Sequence, residues 1–263
     1  MRARCNDIEV AWFEAGRGDP LILIHGLADD HRAWRRALPD LMLRHRVLMY
    51  DLRGHGGTSL GRPDGTLSQL GGDLAALMDA AGVDRAHIAG FSLGGTIAMR
   101  LAIDHPARVR GLVLVATSSR VGRVAADWYR QRAEMVDRGD PKLRETLDRD
   151  AADVYAESAS ELPDGLLIRR ESTADPRGYG NACAAMAALN AAPLDPELSR
   201  ISAPTLIVAS DKDRHCPPKA AEIIAAGILG SRLEIIPGAG HPIPVEKPRE
   251  LAASTNSFLA QIG

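Results

Sequence analysis

Short apolar runs recur along this chain between longer segments of helical period, and no other feature restricts the fold as much. The runs are LILIH (21–25), RVLMYD (46–51), HIAGF (87–91), GLVLVA (111–116), TLIVA (205–209) and LEII (233–236). They are continuous and rich in β-branched residues, as strands covered on both faces must be. Between two of them, Leu67, Leu70, Leu74, Leu77, Met78 and Ala81 fall at helical spacing, and the pattern stops at Gly82. Near the C-terminus Pro248 suits a first helical turn, after which Leu251, Thr255, Phe258 and Ile262 line one face. Strands alternating with helices predict an α/β fold, with a mostly parallel sheet flanked by helices. Ahead of these, IEVAWFE (8–14) alternates with period two and leads through GRGDP (16–20) into LILIH, which predicts an opening hairpin between those two runs. A chain of 263 residues with 45% apolar content can bury about three quarters of its unfolded surface as one core.

One segment interrupts the alternation. Residues 118–196 hold no convincing buried strand, only Ala-, Arg- and acid-rich helical patterning such as Ala125, Trp128, Arg132 and Met135, broken at GDP (139–141) and LPDG (162–165). This predicts a core domain of residues 1–117 and 197–263 and a helical insertion of residues 118–196. An insertion between two sheet strands, on the side where the strands end, is where a lid would sit.

GFSLGG (90–95) follows the run HIAGF and precedes the helical pattern TIAMRLA. A serine between small residues at a strand-to-helix turn is the pattern of a nucleophile elbow, whose strained backbone tolerates only small neighbours. Serine is a weak nucleophile alone. It needs a base for its proton, an acid to orient that base, and donors for the oxyanion. After TLIVA comes SDKDRHCP (210–217), and after LEII comes PGAGHPIP (237–244), so an acid and then a histidine each follow a strand, in the order this architecture uses. Of eight histidines, His241 has the base's position, in a Gly-rich loop just past a strand. His215 shares the acid's tight loop and is poorly placed to bridge to Ser92.

Charge and cysteine usage exclude several function classes. The formal net charge is -2 and acids alternate with bases, which leaves no electrostatic footprint for nucleic acid or an anionic membrane. MRARCNDIEV lacks the apolar core of a signal peptide, and no run approaches a membrane span, so a cytoplasmic location is expected. Cys5, Cys183 and Cys216 are widely spaced and odd in number, which argues against a disulfide framework or a paired-cysteine metal site. Nothing calls for a metal or organic cofactor, and nothing sets the oligomeric state, with which a homo-oligomer is compatible.

Taken together, LILIHGL (21–27), DLRGHGGT (51–58), GFSLGG, SDKD and the loop of His241 resemble the α/β-hydrolase superfamily from Leu21 to the C-terminus, outside the insertion. The resemblance implies an α/β-hydrolase fold with a helical cap inserted after the sixth strand. It implies that the backbone N–H groups of Leu27 and Leu93 form the oxyanion hole, and its G-x-x-D spacing selects Asp213 over Asp211, with Ser210 in place of the glycine. Thr58 replaces the usual serine of the D-x-R-G-x-G-x-S stretch, while His25 and His55 belong to loops that shape the backbone. A serine at position 92 differs from the aspartate of haloalkane dehalogenases and epoxide hydrolases. VLVATSSRVG (113–122) and DPRGYGNACAAMAALN (175–190) resemble 3-oxoadipate enol-lactonases, whereas HGLADDHRAW (25–34) departs from them. The implied activity is hydrolysis of a small-molecule ester or lactone by Ser92, His241 and Asp213. The same triad serves carbon-carbon bond hydrolases and cofactor-free perhydrolases, and some proteins of this fold sense a ligand instead. Within the insertion, Trp128 is the candidate pocket-lining residue and Arg132 the candidate partner for a substrate carboxylate.

Overall fold

Each apolar run becomes a strand. The computed structural model describes residues 1–262, and its strands are β1 (Arg2–Cys5), β2 (Ile8–Ala15), β3 (Asp19–Ile24), β4 (His45–Tyr50), β5 (Ala86–Phe91), β6 (Val109–Val115), β7 (Thr205–Ser210) and β8 (Arg232–Ile236). They form one eight-stranded sheet in the order β1-β2-β4-β3-β5-β6-β7-β8. β1 with β2 and β2 with β4 are antiparallel, and all other neighbours are parallel.

The opening hairpin differs from the one expected. β2 pairs with β1, Cys5 facing Ile8, and on its other side with β4, Trp12 facing Tyr50. β3 lies beyond β4 and pairs with β4 and β5. The connection explains this. Gly16 and Gly18 both have positive φ, and a Cβ on Gly16 would fall 2.4 Å from the carbonyl oxygens of Met42 and His45. The linker therefore packs against the entry to β4 and carries the chain past it, so that Leu21 to Ile24 end up covered on both faces.

Alternate residues of the strands feed two cores. Ile22, Ile24, Leu48, Ile88 and Leu112 pack with α1 (Leu67–Ala80) and α2 (Leu93–Asp104). Leu21, Leu23, Val47, Val113 and Val208 pack with Leu251, Phe258 and Leu259 on the opposite face. Thr66 caps α1 by accepting from the Gln69 N–H, and the helix ends before Gly82 at φ 64°, as the sequence pattern implies.

Between β6 and β7 run α3 (Arg123–Asp137), α4 (Leu143–Val154), α5 (Leu162–Ser172) and α6 (Pro176–Ala188). The stretch LPDG does not break a helix but opens α5, because Pro163 stands in its first turn, where no N–H is missed. Leu143, Leu147, Tyr179 and Cys183 from these helices form a separate apolar cluster with Ala28, in the loop after β3. α7 (Pro218–Gly227) and α8 (Pro248–Ile262) complete the fold. Among the described residues no helix is long and apolar enough to cross a membrane.

Candidate active site

Ser92 stands where β5 gives way to α2, with φ 53° and ψ -120°. Few non-glycine residues adopt this left-handed region. Its neighbours show why the turn needs glycine. A Cβ on Gly90 would lie 2.2 Å from the Gly94 carbonyl oxygen, one on Gly94 would lie 2.3 Å from that of Ile24, and one on Gly95 would strike Thr117. The turn is held from β6, since Ser92 N donates to the Val115 carbonyl at 2.9 Å and Thr117 Oγ1 donates to the Ser92 carbonyl at 2.6 Å.

Two loops deliver the other groups. His241 Nε2 lies 3.0 Å from Ser92 Oγ, and His241 Nδ1 lies 2.8 Å from Asp213 Oδ2. Asp213 and His241 are buried, at 3% and 7% exposure, so the contacts are sheltered from water. Burial alone would raise the Asp213 carboxyl, but the nearby His241, its hydrogen bond and the N–H groups of Cys216 and His215 together hold it below the ordinary carboxylate range. Ser210 Oγ donates to the Gly240 carbonyl at 2.6 Å, so the residue that replaces the motif's glycine ties the acid's strand to the histidine's loop. Asp211 instead is exposed and accepts from Gly238 N at 2.7 Å. The His215 ring lies 5.1 Å from that of His241, with Nε2 3.5 Å from Asp153 on α4.

The serine opens onto a cavity of about 690 Å³ between the carboxyl edge of the sheet and α3 to α6. Leu27, Phe91, Trp128, Tyr129, Leu147 and Tyr179 are among its apolar walls. Among the described residues, no protein acceptor meets the backbone N–H of Leu27 or Leu93. Both are adjacent to residues of the wall, and Leu27 itself belongs to it. Trp128 faces the cavity. Arg132 does not, contrary to expectation: its guanidinium forms a two-point pair with Asp150 at 2.7 and 2.8 Å and lies 4.5 Å from the Trp128 ring centroid. Its Nε and Nη2 are thereby committed to Asp150 rather than to a substrate carboxylate.

The family model described as "alpha/beta hydrolase fold" matches residues 19–248. The chain belongs to this hydrolase family. It is 30% identical over 252 residues to a protein of Variovorax paradoxus named as a carbamate hydrolase, RutD, covering 93% of each chain. It is 28% identical to 3-oxoadipate enol-lactonase 1 of Acinetobacter baylyi, covering 92% of this chain and 89% of that one. The crystal structure of the enol-lactonase of Burkholderia xenovorans superposes with a TM-score of 0.88 at 26% identity, over 99% of this chain and 100% of that one.

In this α/β hydrolase the remaining motif residues act on the backbone. His25 Nδ1 lies 2.8 Å from the Gly26 carbonyl and its Nε2 accepts from Leu52 N at 2.9 Å, joining the loop after β3 to that after β4. Thr58 Oγ1 accepts from Ala11 N and donates to the Asp51 carbonyl, which needs only a hydroxyl and so tolerates Thr for Ser. Asp30, His31 and Asp51 bring ligand-type atoms within 4.8 Å of one another, outside this cavity. Their oxygens are engaged already, Asp30 by Arg32 and Asp51 by His31 and Gly57 N. Cys5, Cys183 and Cys216 are free thiols. Sequence reasoning missed Asp29 and Arg169, which pair at 3.1 Å on the cavity wall. The local signal is the paired arginine in LLIRRES, and both arginines line the cavity, Arg169 half-buried and Arg170 exposed.

Proposed function

We propose that this protein is a serine hydrolase that cleaves a small carboxylic ester or lactone through an acyl-enzyme. The single observation that carries the reading is the chain of contacts Ser92 Oγ, His241 Nε2, His241 Nδ1, Asp213 Oδ2, with Ser92 at the floor of the cavity. His241 takes the proton as Ser92 Oγ bonds to the carbonyl carbon. Asp213 fixes the tautomer and stabilises the imidazolium, while the N–H groups of Leu27 and Leu93 meet the oxyanion. The imidazolium returns its proton to the leaving alkoxide. Water, deprotonated by the same histidine, then attacks the acyl carbon and releases the carboxylic acid and Ser92.

Residues 118–196 act as a lid in this reading. Trp128 and Tyr129 on α3 and Leu147 on α4 roof the serine, which excludes water and selects the acyl group. The relatives named as enol-lactonase and carbamate hydrolase support a carbonyl adjacent to oxygen or nitrogen as the target. A carbamate presents the same electrophilic carbon to the same groups and belongs in the substrate panel beside esters and lactones.

Purified protein should turn over an activated aryl ester steadily, and Ser92→Ala should lose about six orders of magnitude in kcat while keeping its fold. A variant that keeps a tenth of the activity would exclude the acyl-enzyme, and a single wild-type burst without turnover would point to ligand sensing.

A further inference from the structure

We propose that Arg169 is a positioning residue for the oxyanion loop, acting from the helical insertion through Asp29 and Leu27. The inference rests on the serine-hydrolase reading and deepens it. Arg169 projects from α5. Its Nε lies 3.1 Å from Asp29 Oδ1 and its Nη2 lies 3.4 Å from the Leu27 carbonyl oxygen. Three residues further along, Ser172 Oγ donates to the Asp29 carbonyl. One helix of the insertion thus holds the loop after β3 on both sides of Ala28.

Ala28 shows why the loop needs holding. Its φ is 63°, a left-handed conformation that side-chain-bearing residues adopt rarely. A loop with such a residue relaxes unless its flanks are fixed. Leu27, whose N–H is the oxyanion donor, is anchored by β3 on one side and by Arg169 on the other. Its N–H therefore has little freedom to rotate away from the space above Ser92.

Charge adds a second reason. Asp29 is 5% exposed and lines the cavity, and Arg169 is the only side chain that donates to its carboxylate among the described residues. Unpaired, that carboxylate would set a negative charge two residues from the donor of a developing oxyanion, in a poorly solvated wall where charges act strongly. The guanidinium neutralises it through Nε while Nη2 reaches the Leu27 carbonyl oxygen, and the planar fork holds these two donors in fixed relation as a flexible ammonium does not.

The test measures kcat and KM on a neutral aryl ester and on a carboxylate-bearing one, per active site titrated with an organophosphonate. Arg169→Met should lose about 10- to 100-fold in kcat, near or below the loss of a whole oxyanion donor, with KM for the neutral ester within about threefold. Asp29→Asn/Arg169→Met should be no worse than Arg169→Met alone, because the two residues act as one unit. Additive losses would overturn the proposal. So would a lowered Tm with unchanged kcat per titrated site, or a rise in KM confined to the carboxylate-bearing ester, which would make Arg169 a substrate contact. Should Arg169→Met fail to fold, Arg169→Lys must still lower kcat by about tenfold, and an unchanged value overturns the proposal equally. A wild-type Ser92 that resists the phosphonate would instead sink the acyl-enzyme reading, and this inference with it.

Discussion

Asp213 meets His241 through one carboxylate oxygen and its own loop through the other: Oδ2 lies 2.8 Å from His241 Nδ1, while Oδ1 accepts from the N–H groups of His215 and Cys216 at 2.8 Å each. The carboxylate cannot rotate without giving up two backbone bonds. Asp213→Asn can present its amide NH₂ to Nδ1 only by favouring the wrong histidine tautomer, and should lower turnover by up to about 10⁴. Asp211 accepts one N–H, from Gly238, at the surface, and Asp211→Asn keeps an oxygen for it. Steady-state kinetics of the two variants should therefore differ by orders of magnitude, and a reversed ranking would reassign the acid.

Two histidines outside the site set a pH dependence of stability. Burial pushes the imidazoles of His55 and His87 down to about 4, from an ordinary 6.5. Neither is paired with a carboxylate by a hydrogen bond, and each leaves a ring nitrogen without a partner. Between those values the unfolded chain binds protons that the folded one refuses, so stability is complete above pH 6.5 and is lost as pH falls toward 4. Each histidine should cost on the order of 1 to 2 kcal/mol at pH 5. Urea unfolding at pH 7.5 and pH 5 measures this, and His87→Leu should flatten the slope. An equal slope in that variant would show that His87 does not carry it.

Two glycines in neighbouring helices on one face of the sheet should respond oppositely to alanine. A Cβ on Gly94 would lie 2.3 Å from the Ile24 carbonyl oxygen and 2.7 Å from that of His25, so Gly94→Ala must push α2 off the end of β3 and disturb both Ser92 and the Leu27 loop. Gly72 lies within α1, and its Cβ would meet nothing within 4 Å. Gly72→Ala should raise stability by about 0.5 to 1 kcal/mol through helix propensity alone, with activity unchanged. Loss of both folding and activity in Gly94→Ala, against a gain in Tm for Gly72→Ala, is the outcome the geometry requires.

The contrast between these glycines reflects what is readable in a linear pattern. The elbow is legible because its constraints are local: Gly90, Gly94 and Gly95 are dictated by contacts of the strand-turn-helix itself and of the strands beside it. Buried strands such as LILIH and TLIVA are legible because being covered on both faces forces an unbroken apolar run. β1, RARC, carries no such run, since an edge strand faces water, and its absence from the reading left β2 to be paired with β3. The insertion is the least legible part. Arg132 and Arg169 both lie on helices of mixed charge, and helical period does not say which face meets the cavity. That choice is made by partners far along the chain, Asp150 for Arg132 and Asp29 for Arg169.

Trp128 tests whether the insertion selects the substrate. The ring is half-buried, lines the cavity, makes an edge contact with Tyr129 at 5.0 Å and carries the Arg132 guanidinium over its face, 4.5 Å from the centroid. It is thus supported by its own helix α3 and by the Arg132 to Asp150 pair to α4, rather than by the sheet. Removing it should widen the cavity without moving Ser92, whose geometry is set by β5, β6 and the glycines. Trp128→Ala should therefore change KM and the ranking of small esters, while labelling of Ser92 by a minimal organophosphonate, which needs only the nucleophile and the oxyanion donors, stays within about twofold. Arg132→Ala should shift the same ranking more weakly, through the loosened ring, and should not discriminate between neutral and carboxylate-bearing esters, because its donors already serve Asp150. If phosphonate labelling and the turnover of every ester fall together in folded Trp128→Ala, the ring supports the catalytic body, and residues 118–196 do not act as a selective lid.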